Sequence, residues 1–190
     1  MTRWRLLGLL LGAALVGTLV FVVSGGSSSD GSALDLSEAD GSGSGAPMEV
    51  GEDFVSNALT VSNRLDAAVL IEAVRPSGSI GAIEFVDYYL VAGTIGGPDW
   101  SGWLTMTSDE KVELLESREL EQLPPCDDGD CVSTIALVAR RTGTGAGVIT
   151  GFSISYSVAG QQYEQSVEHQ VGICEPSSES CADDVLELAP

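Results

Sequence analysis

The chain has 190 residues, of which 28 are acidic and only 8 are lysine or arginine, so its formal net charge is −20 at pH 7. Every acidic residue follows position 29, and with the six bases found there this later part carries a charge of −22. A surface of that sign repels phosphate groups, which excludes nucleic acid as a partner.

The first predicted element is an apolar helix over residues 6–23, a run that contains no charged side chain. Eighteen helical residues extend about 27 Å, close to the roughly 30 Å of a bilayer's hydrocarbon core. Arg3 and Arg5 precede the run, and positive residues favour the cytoplasmic side. We therefore expect residues 1–23 to be a signal-anchor, with membrane residues that include Leu6, Leu10, Leu15, Val20 and Val23.

This helix would place the rest of the chain outside the cytoplasm, as the extracytoplasmic part of a single-pass cell-membrane protein. The alternative is a cleaved signal peptide, which would make the mature protein secreted. The apolar region of a signal peptide usually has about 7–15 residues, which is shorter than this run. The anchor is therefore the favoured interpretation.

The remaining chain divides by composition into a linker, one domain and a tail. Residues 24–47 are rich in glycine, serine and aspartate, which is typical of a flexible linker. A folded domain is expected over residues 48–176, followed by a C-terminal tail over residues 177–190. That length is enough for one core-forming domain and not comfortably for two.

Several short segments of this domain have the pattern of β-strands. Leu59 and Val61 alternate with polar residues, whereas residues 67–74 and 83–91 are almost continuously apolar or rich in β-branched and aromatic residues. Turn residues such as Pro76 and Gly78 bound them. A further strand is expected over residues 132–139.

One helix is predicted between these strands. Residues 107–110 read TSDE, which matches the capping box that satisfies the free N–H groups of a first helical turn. Apolar residues recur at helical spacing up to Leu123, and Pro124 ends the run. We expect one helix, or two broken turns, packed on a sheet.

The clearest local pattern is an antiparallel hairpin in the second half of the chain. Apolar residues from Phe152 to Val158 alternate with glycine and serine, and the alternation resumes at Tyr163 after a short link containing Gly160. Many short strands with turn signals favour a mainly β fold. We expect a single immunoglobulin-like β-sandwich with one short helix, on architecture alone, since the Cys–Trp–Cys spacing of true immunoglobulin domains is absent.

Four cysteines lie in this exported part, and an even number in an oxidising compartment predicts two disulfides. Pairing Cys126 with Cys131 and Cys174 with Cys181 would close two small loops. The rival pairing, Cys131 with Cys174 and Cys126 with Cys181, would join the start of one strand to the end of the last. Zinc is disfavoured because the spacings differ from the usual C-x2-C pairs. The residues concerned are Cys126, Cys131, Cys174 and Cys181.

An acidic loop lies between the first two cysteines and contains Asp127, Asp128 and Asp130. Clustered carboxylates are the usual ligands of calcium, so calcium is the one cofactor that the sequence suggests. The loop does not match the EF-hand pattern, however, and solvated turn residues are the default interpretation. No cofactor is otherwise expected.

The function expected from these patterns is a non-catalytic accessory or protein-binding role in a membrane or envelope assembly. His169 is the only histidine, and its position in the alternation turns it toward the buried side of the sheet or its edge. No G-x-S-x-G motif accompanies the many serines, so an enzyme is not expected. A secreted domain that binds calcium or a small ligand is the alternative, and an extracytoplasmic hydrolase is a lesser one. Tyr88, Tyr89, Trp100 and Trp103 are equally compatible with a recognition patch and with packing.

Overall fold

The computed structural model describes residues 32–37, 39–93, 119–126, 131–178 and 180–188. Within them the protein is mainly β, as the sequence predicts, with multiple sheets and one short helix. The elements are β1 Leu34–Asp35, β2 Ser42–Pro47, β3 Asp53–Asn63, β4 Val69–Pro76, β5 Ser79–Gly81, β6 Ile83–Ala92, β7 Val132–Arg141, β8 Gly147–Ile149, β9 Phe152–Val158, β10 Gln161–Val167, β11 His169–Cys174 and α1 Cys181–Leu186.

The first sheet has the strand order β1-β3-β7-β6, and all its neighbours are antiparallel. Its central strand β7 is buried over seven consecutive residues, 133–139, because both of its faces are covered. Ile135 and Leu137 belong to the main core, whereas Ala136 and Val138 belong to a second, small cluster on the opposite face. The almost continuous apolar sequence of this strand follows from that two-sided burial.

The remaining strands form one bent sheet. Its two parts have the orders β10-β9-β4 and β2-β11-β8-β5. Short kinks alone separate β4 from β5, β8 from β9 and β10 from β11. The backbone hydrogen bonds between β4–β5 and β8–β9 continue across the kink. There Ser77 N–H donates to the Gly151 carbonyl at 2.8 Å, and Thr150 N–H donates to the Gly78 carbonyl at 3.0 Å. Three strands therefore run the length of this sheet, with β2 at the edge of β11.

The main core lies between the two sheets. It takes alternate residues from long strands such as β7 and β9, as the period of two in the sequence predicts. Phe152 of the bent sheet contacts Phe85 of the first sheet edge to face, with ring centroids 5.8 Å apart. The largest fully buried apolar side chains in this core are Phe54, Phe152, Leu34, Leu59, Leu123, Ile135, Leu137, Ile149, Ile154 and Ile173. This two-layer arrangement fits a β-sandwich.

The folded part begins earlier in the chain than the sequence predicts. Residues 24–31 of the expected linker lie outside the described residues, but from Leu34 onward the same segment contains β1 and β2. Leu34 pairs with Asn63 of the first sheet, and β2 then pairs in parallel with β11 of the second. Two strands therefore lie within the segment that the sequence assigns to the linker. Glycine and serine here serve a close strand pairing, since a Cβ on Gly43 would come within 3.3 Å of Gln170 Cβ.

The expected C-terminal tail contains the helix α1, which packs against β11. Ser180 caps the helix by accepting a hydrogen bond from Asp183 N–H at 3.4 Å. Val185 is its buried residue and lies over Gly172, where an added Cβ would come within 2.5 Å of the Val185 methyl groups. Glycine at position 172 is therefore what allows the helix to approach the strand.

The predicted helix at residues 107–123 is wrong at its C-terminal end. Residues 107–118 lie outside the described residues, as does the possible edge strand at residues 100–106. Glu119 and Leu123 are described, and each forms an isolated β-bridge, with Val91 and Val69 respectively. Tertiary pairing with strand edges therefore overrides the helical spacing of the last leucines.

Candidate functional site

A surface cleft of about 470 Å³ lies between the β7–β8 loop and the C-terminal residues. Its carboxylates are Glu175, Asp184 and Glu187, and the loop contributes Gly145. Two of these carboxylates already have partners inside the protein. Asp184 accepts a hydrogen bond from the Ser178 hydroxyl at 2.6 Å, and Glu175 accepts one from Gly145 N–H at 2.8 Å.

Arg141 explains the position of Glu175. Its side chain is only 4% exposed, and it donates to the Met48 carbonyl and to Glu175 Oε1, each at 2.9 Å. A buried guanidinium needs such partners, because an uncompensated buried charge is strongly destabilising. The group therefore fastens the β2–β3 loop, the β7–β8 loop and the C-terminal segment together. The cleft is better explained by this structural role than by ligand binding.

The structure pairs Cys126 with Cys131 and Cys174 with Cys181, with Cα atoms 5.2 Å and 5.4 Å apart. Both distances lie within the usual disulfide range. This is the pairing that closes two small loops. The second disulfide joins the end of β11 to the start of α1, so it holds the helix against the sheet.

The calcium hypothesis concerns Asp127, Asp128 and Asp130, which lie outside the described residues. Among the residues that the structure does describe, no group of three histidine, cysteine, aspartate or glutamate side chains could hold a metal ion. The calcium hypothesis therefore stays a prediction.

His169 lies at the start of β11 and is fully buried, as its position in the alternation predicts. Its ring lies 6.4 Å from the ring of Phe152. Burial lowers the pKa of His169 below its usual 6.5, against a smaller opposing effect of the hydrogen bond with the backbone of Ala39. A hydrolase would need an exposed histidine beside a serine and a carboxylate. His169 is not exposed.

The lowered pKa of His169 predicts a loss of stability in mild acid. The unfolded chain takes up a proton near pH 6.5 and the folded chain only at lower pH, so the free energy of unfolding falls as the pH drops below 6.5. Relative to His169→Gln, the full chain should lose more stability between pH 7.5 and 5.5, with a slope of at most about 1.4 kcal/mol per pH unit. Urea unfolding followed by circular dichroism measures this difference. Parallel pH profiles for the two proteins would show that His169 is not responsible.

Another acid-sensitive group acts in a separate pH range. The hydroxyl of Ser37, followed by the guanidinium of Arg64, lowers the pKa of Asp35 from 3.8 to about 2. Arg64 Nε donates to Asp35 Oδ2 at 3.1 Å, which ties β1 to the end of β3. Stability from this group is lost only below about pH 4, so it does not contribute to a loss measured between pH 7.5 and 5.5.

Tyr88 and Tyr89 lie on opposite faces of β6 and do not form one patch together. Tyr88 packs against the main core, where burial, and next the charge of Asp87, raise the pKa of its hydroxyl. Tyr89 packs against the small cluster on the other face. Trp100 and Trp103 lie outside the described residues, so an aromatic recognition patch that includes them stays a prediction.

The membrane residues Leu6, Leu10, Leu15, Val20 and Val23 also lie outside the described residues. In the part of the chain that the structure describes, no helix has the length and apolar character needed to cross a bilayer.

One surface that the sequence patterns did not single out is the outer edge of β10. In the described part of the chain this strand pairs with β9 on one side only, and residues 161–164 are exposed. The polar sequence QQYEQSV was the available signal, because a strand inside a sheet usually has more apolar residues.

The turn that joins β9 to β10 shows which backbone groups point outward from this edge. Ala159 and Gly160 have φ of 49° and 81°, as in a two-residue turn of type I′. The flanking pair, Val158 and Gln161, then exchanges both hydrogen bonds, and the pairs alternate from there. Residues 163, 165 and 167 therefore bond to β9, whereas the N–H and C=O groups of Gln162, Glu164 and Ser166 point to the open edge.

Glu168 supports this assignment independently. It lies two residues after Ser166, just beyond the end of β10, so its backbone groups should point to the same edge. Its N–H donates to Asp40 Oδ1 at 2.9 Å, and its carbonyl accepts from Gly41 N–H at 2.7 Å. Both partners approach from the outer edge. The segment before β2 thus covers this edge at Glu168, and earlier in the chain the Ser32 hydroxyl and the Leu34 carbonyl bond to the side chain of Gln165. Among the described residues, this segment makes no backbone hydrogen bond to Gln162, Glu164 or Ser166.

Comparison with known proteins finds no matching family model, no matching curated protein and no matching solved structure.

Proposed function

We propose that the chain is a membrane-anchored extracytoplasmic module with an immunoglobulin-like β-sandwich, which binds a partner protein in a membrane or envelope assembly and is not an enzyme. The strand order carries this proposal. In chain order the long strands can be named A to G, with β1 and β2 as the two parts of A, β3 as B, β4–β5 as C, β6 as D, β7 as E, β8–β9 as F and β10–β11 as G.

With these names the first sheet reads A-B-E-D, and the bent sheet reads C-F-G with the second part of A at its edge. Immunoglobulin domains distribute seven strands between two sheets in that order. The disulfides differ from theirs, because neither of the two joins strand B to strand F. The proposal therefore concerns the topology and not the details of antibody domains. Sandwiches of this kind bind partners through their surfaces more often than they catalyse reactions. The binding role is therefore inferred from the architecture.

The proposal that the chain is not an enzyme is supported by the contacts that its histidine and the carboxylates of the cleft already make within the protein. His169 is enclosed in the core, and the carboxylates of Glu175 and Asp184 accept hydrogen bonds from Arg141 and Ser178. These groups already stabilise the fold. They are not arranged as a nucleophile with a neighbouring base.

The membrane part of the proposal uses the apolar run at residues 6–23, with secretion after cleavage as the alternative. If the run ends at Val23, eight residues precede Ser32. Even fully extended, they span at most about 29 Å, so the domain would remain close to the bilayer. Leu34 pairs with Asn63 at the end of β3, so the end of the sandwich with the β3–β4 loop would lie nearer the membrane.

Affinity purification of the full chain from its native membranes, in mild detergent, tests this function. We expect a partner protein at about one-to-one stoichiometry by quantitative mass spectrometry. A control chain with the core substitution Phe152→Ala should not retain it, because binding requires the folded sandwich. Failure to recover any stoichiometric partner with the wild-type chain would contradict the proposal.

A further inference from the structure

We propose that the open edge of β10 receives an extended, basic segment of the partner protein as an added β-strand. The inference rests on the proposed binding function and specifies its surface. The outward N–H and C=O groups of Gln162, Glu164 and Ser166 are the six backbone groups that such a strand would pair with. Main-chain hydrogen bonds of this kind supply affinity in β-strand addition.

Two other long edges of the described sheets are protected against such pairing. The edge strand β6 has a register shift between Phe85 and Asp87, and Glu119 bridges to it at Val91. The edge strand β4 has a shift between Ile71 and Ala73, and Leu123 bridges to it at Val69. Bulges and covering segments are the usual means by which proteins block edge-to-edge association.

By contrast, the described residues place no bulge and no bridging segment on β10. It forms seven consecutive pairs with β9 without a register shift, from Gln161 to Val167. Its sequence, QQYEQSV, contains no proline, glycine, lysine or arginine. A regular edge of seven residues whose outward backbone groups are open is a template for another strand.

The same strand edge already accepts a strand further along. In line with β10, the edge of β11 pairs in parallel with β2 over six residues, beginning with His169 opposite Ser42. The bent sheet therefore tolerates a neighbour on this side. A segment added along β10 would extend the row that β2 begins.

Charge decides between the candidate occupants. Glu164 and Glu168 lie on this edge, Asp40 lies at its end, and neither β10 nor β11 contains a lysine or arginine. The chain after residue 29 has a net charge of −22, so a second copy would be repelled. A basic segment is complementary to the edge and would be attracted to it.

The test uses a blocked nine-residue peptide of alternating lysine and valine as the probe. Its binding to the full chain in detergent micelles is measured by calorimetry at about 0.15 M salt, where exposed charges are screened beyond roughly 8 Å. The control probe is the same peptide with every backbone nitrogen methylated, which keeps the charge and removes the donors. We expect the unmethylated peptide to bind at least about tenfold more tightly.

A substitution in the chain tests the same surface. Ser166→Pro removes one outward N–H and leaves the bonds between β10 and β9 intact, because proline is tolerated where the N–H of an edge strand faces solvent. It should weaken peptide binding about tenfold, whereas Ser166→Ala should not change it. Circular dichroism of both variants checks that the fold is retained.

Three results would overturn the proposal. The first is equal binding of both peptides, and the second is unchanged peptide binding to Ser166→Pro. The third is a dimer of the chain, seen by light scattering, that Ser166→Pro dissociates, because a second copy would then be the occupant. Affinity purification with Ser166→Pro separates this inference from the proposed function. If that variant retains the native partner as well as wild type does, the binding module stands and the β10 edge is not its surface.

Discussion

Phe152→Ala should lower the free energy of unfolding of the full chain by about 3–5 kcal/mol, measured by urea titration with circular dichroism. Phe152 is fully buried at the start of β9 and contacts rings from two other strands, Phe85 of the first sheet and His169 of the bent sheet. Removing it takes away contacts between the layers and leaves a cavity. Since domains are stable by about 5–15 kcal/mol, such a loss would bring the fold near its limit.

Two control substitutions make this result specific to the core between the sheets. Phe152→Leu keeps most of the volume and should cost less than about 1.5 kcal/mol. Tyr163→Ala removes an aromatic ring of similar size that is 37% exposed and stacks on Tyr156 at 5.5 Å, so its effect should be clearly smaller than that of Phe152→Ala. Equal losses for Phe152→Ala and Tyr163→Ala would show that the two sheets do not share this core.

The strands that alternate in the sequence were predictable from it. Residues 152–158 and the segment after Gly160 form the hairpin β9–β10, and His169 is buried as its parity requires. The strands predicted at residues 67–74 and 83–91 correspond to β4 and β6. Period-two burial is a local property, so it can be recognised without knowing which strands become neighbours.

The first strand was not predictable in the same way. Residues 42–47 read SGSGAP, which has the composition of a linker, yet they form β2 against β11. Their strand character comes from a partner more than 120 residues later in the chain, and their own side chains supply little of it. The exposed edge of β10 and the partners of Arg141 depend on tertiary neighbours for the same reason, and a propensity argument cannot supply them.

Gly81→Ala should be the second most damaging substitution, with a loss of about 3 kcal/mol or more in the same urea titration. Gly81 ends β5 with φ of 77°, where a side chain is strained, and a Cβ there would overlap the backbone carbonyl of Ala146 and lie 3.1 Å from Gly147 Cα. Both neighbours are main-chain atoms of the paired strand segment. They cannot move aside as the end of a flexible side chain could.

Gly145→Ala separates the two contributions, because Gly145 has nearly the same φ, 82°, in the adjacent β7–β8 loop. A Cβ on Gly145 would meet nothing within 4 Å, and its N–H bond to Glu175 is kept. This control should lose only the strain of the left-handed conformation, about 1–2 kcal/mol. The excess loss in Gly81→Ala then reports how closely β5 and β8 approach at the pair Gly81–Gly147, the end of these strands farthest from the kink. If the two variants were equally stable, this close approach would not exist in solution, and β5 would not be paired with β8 there.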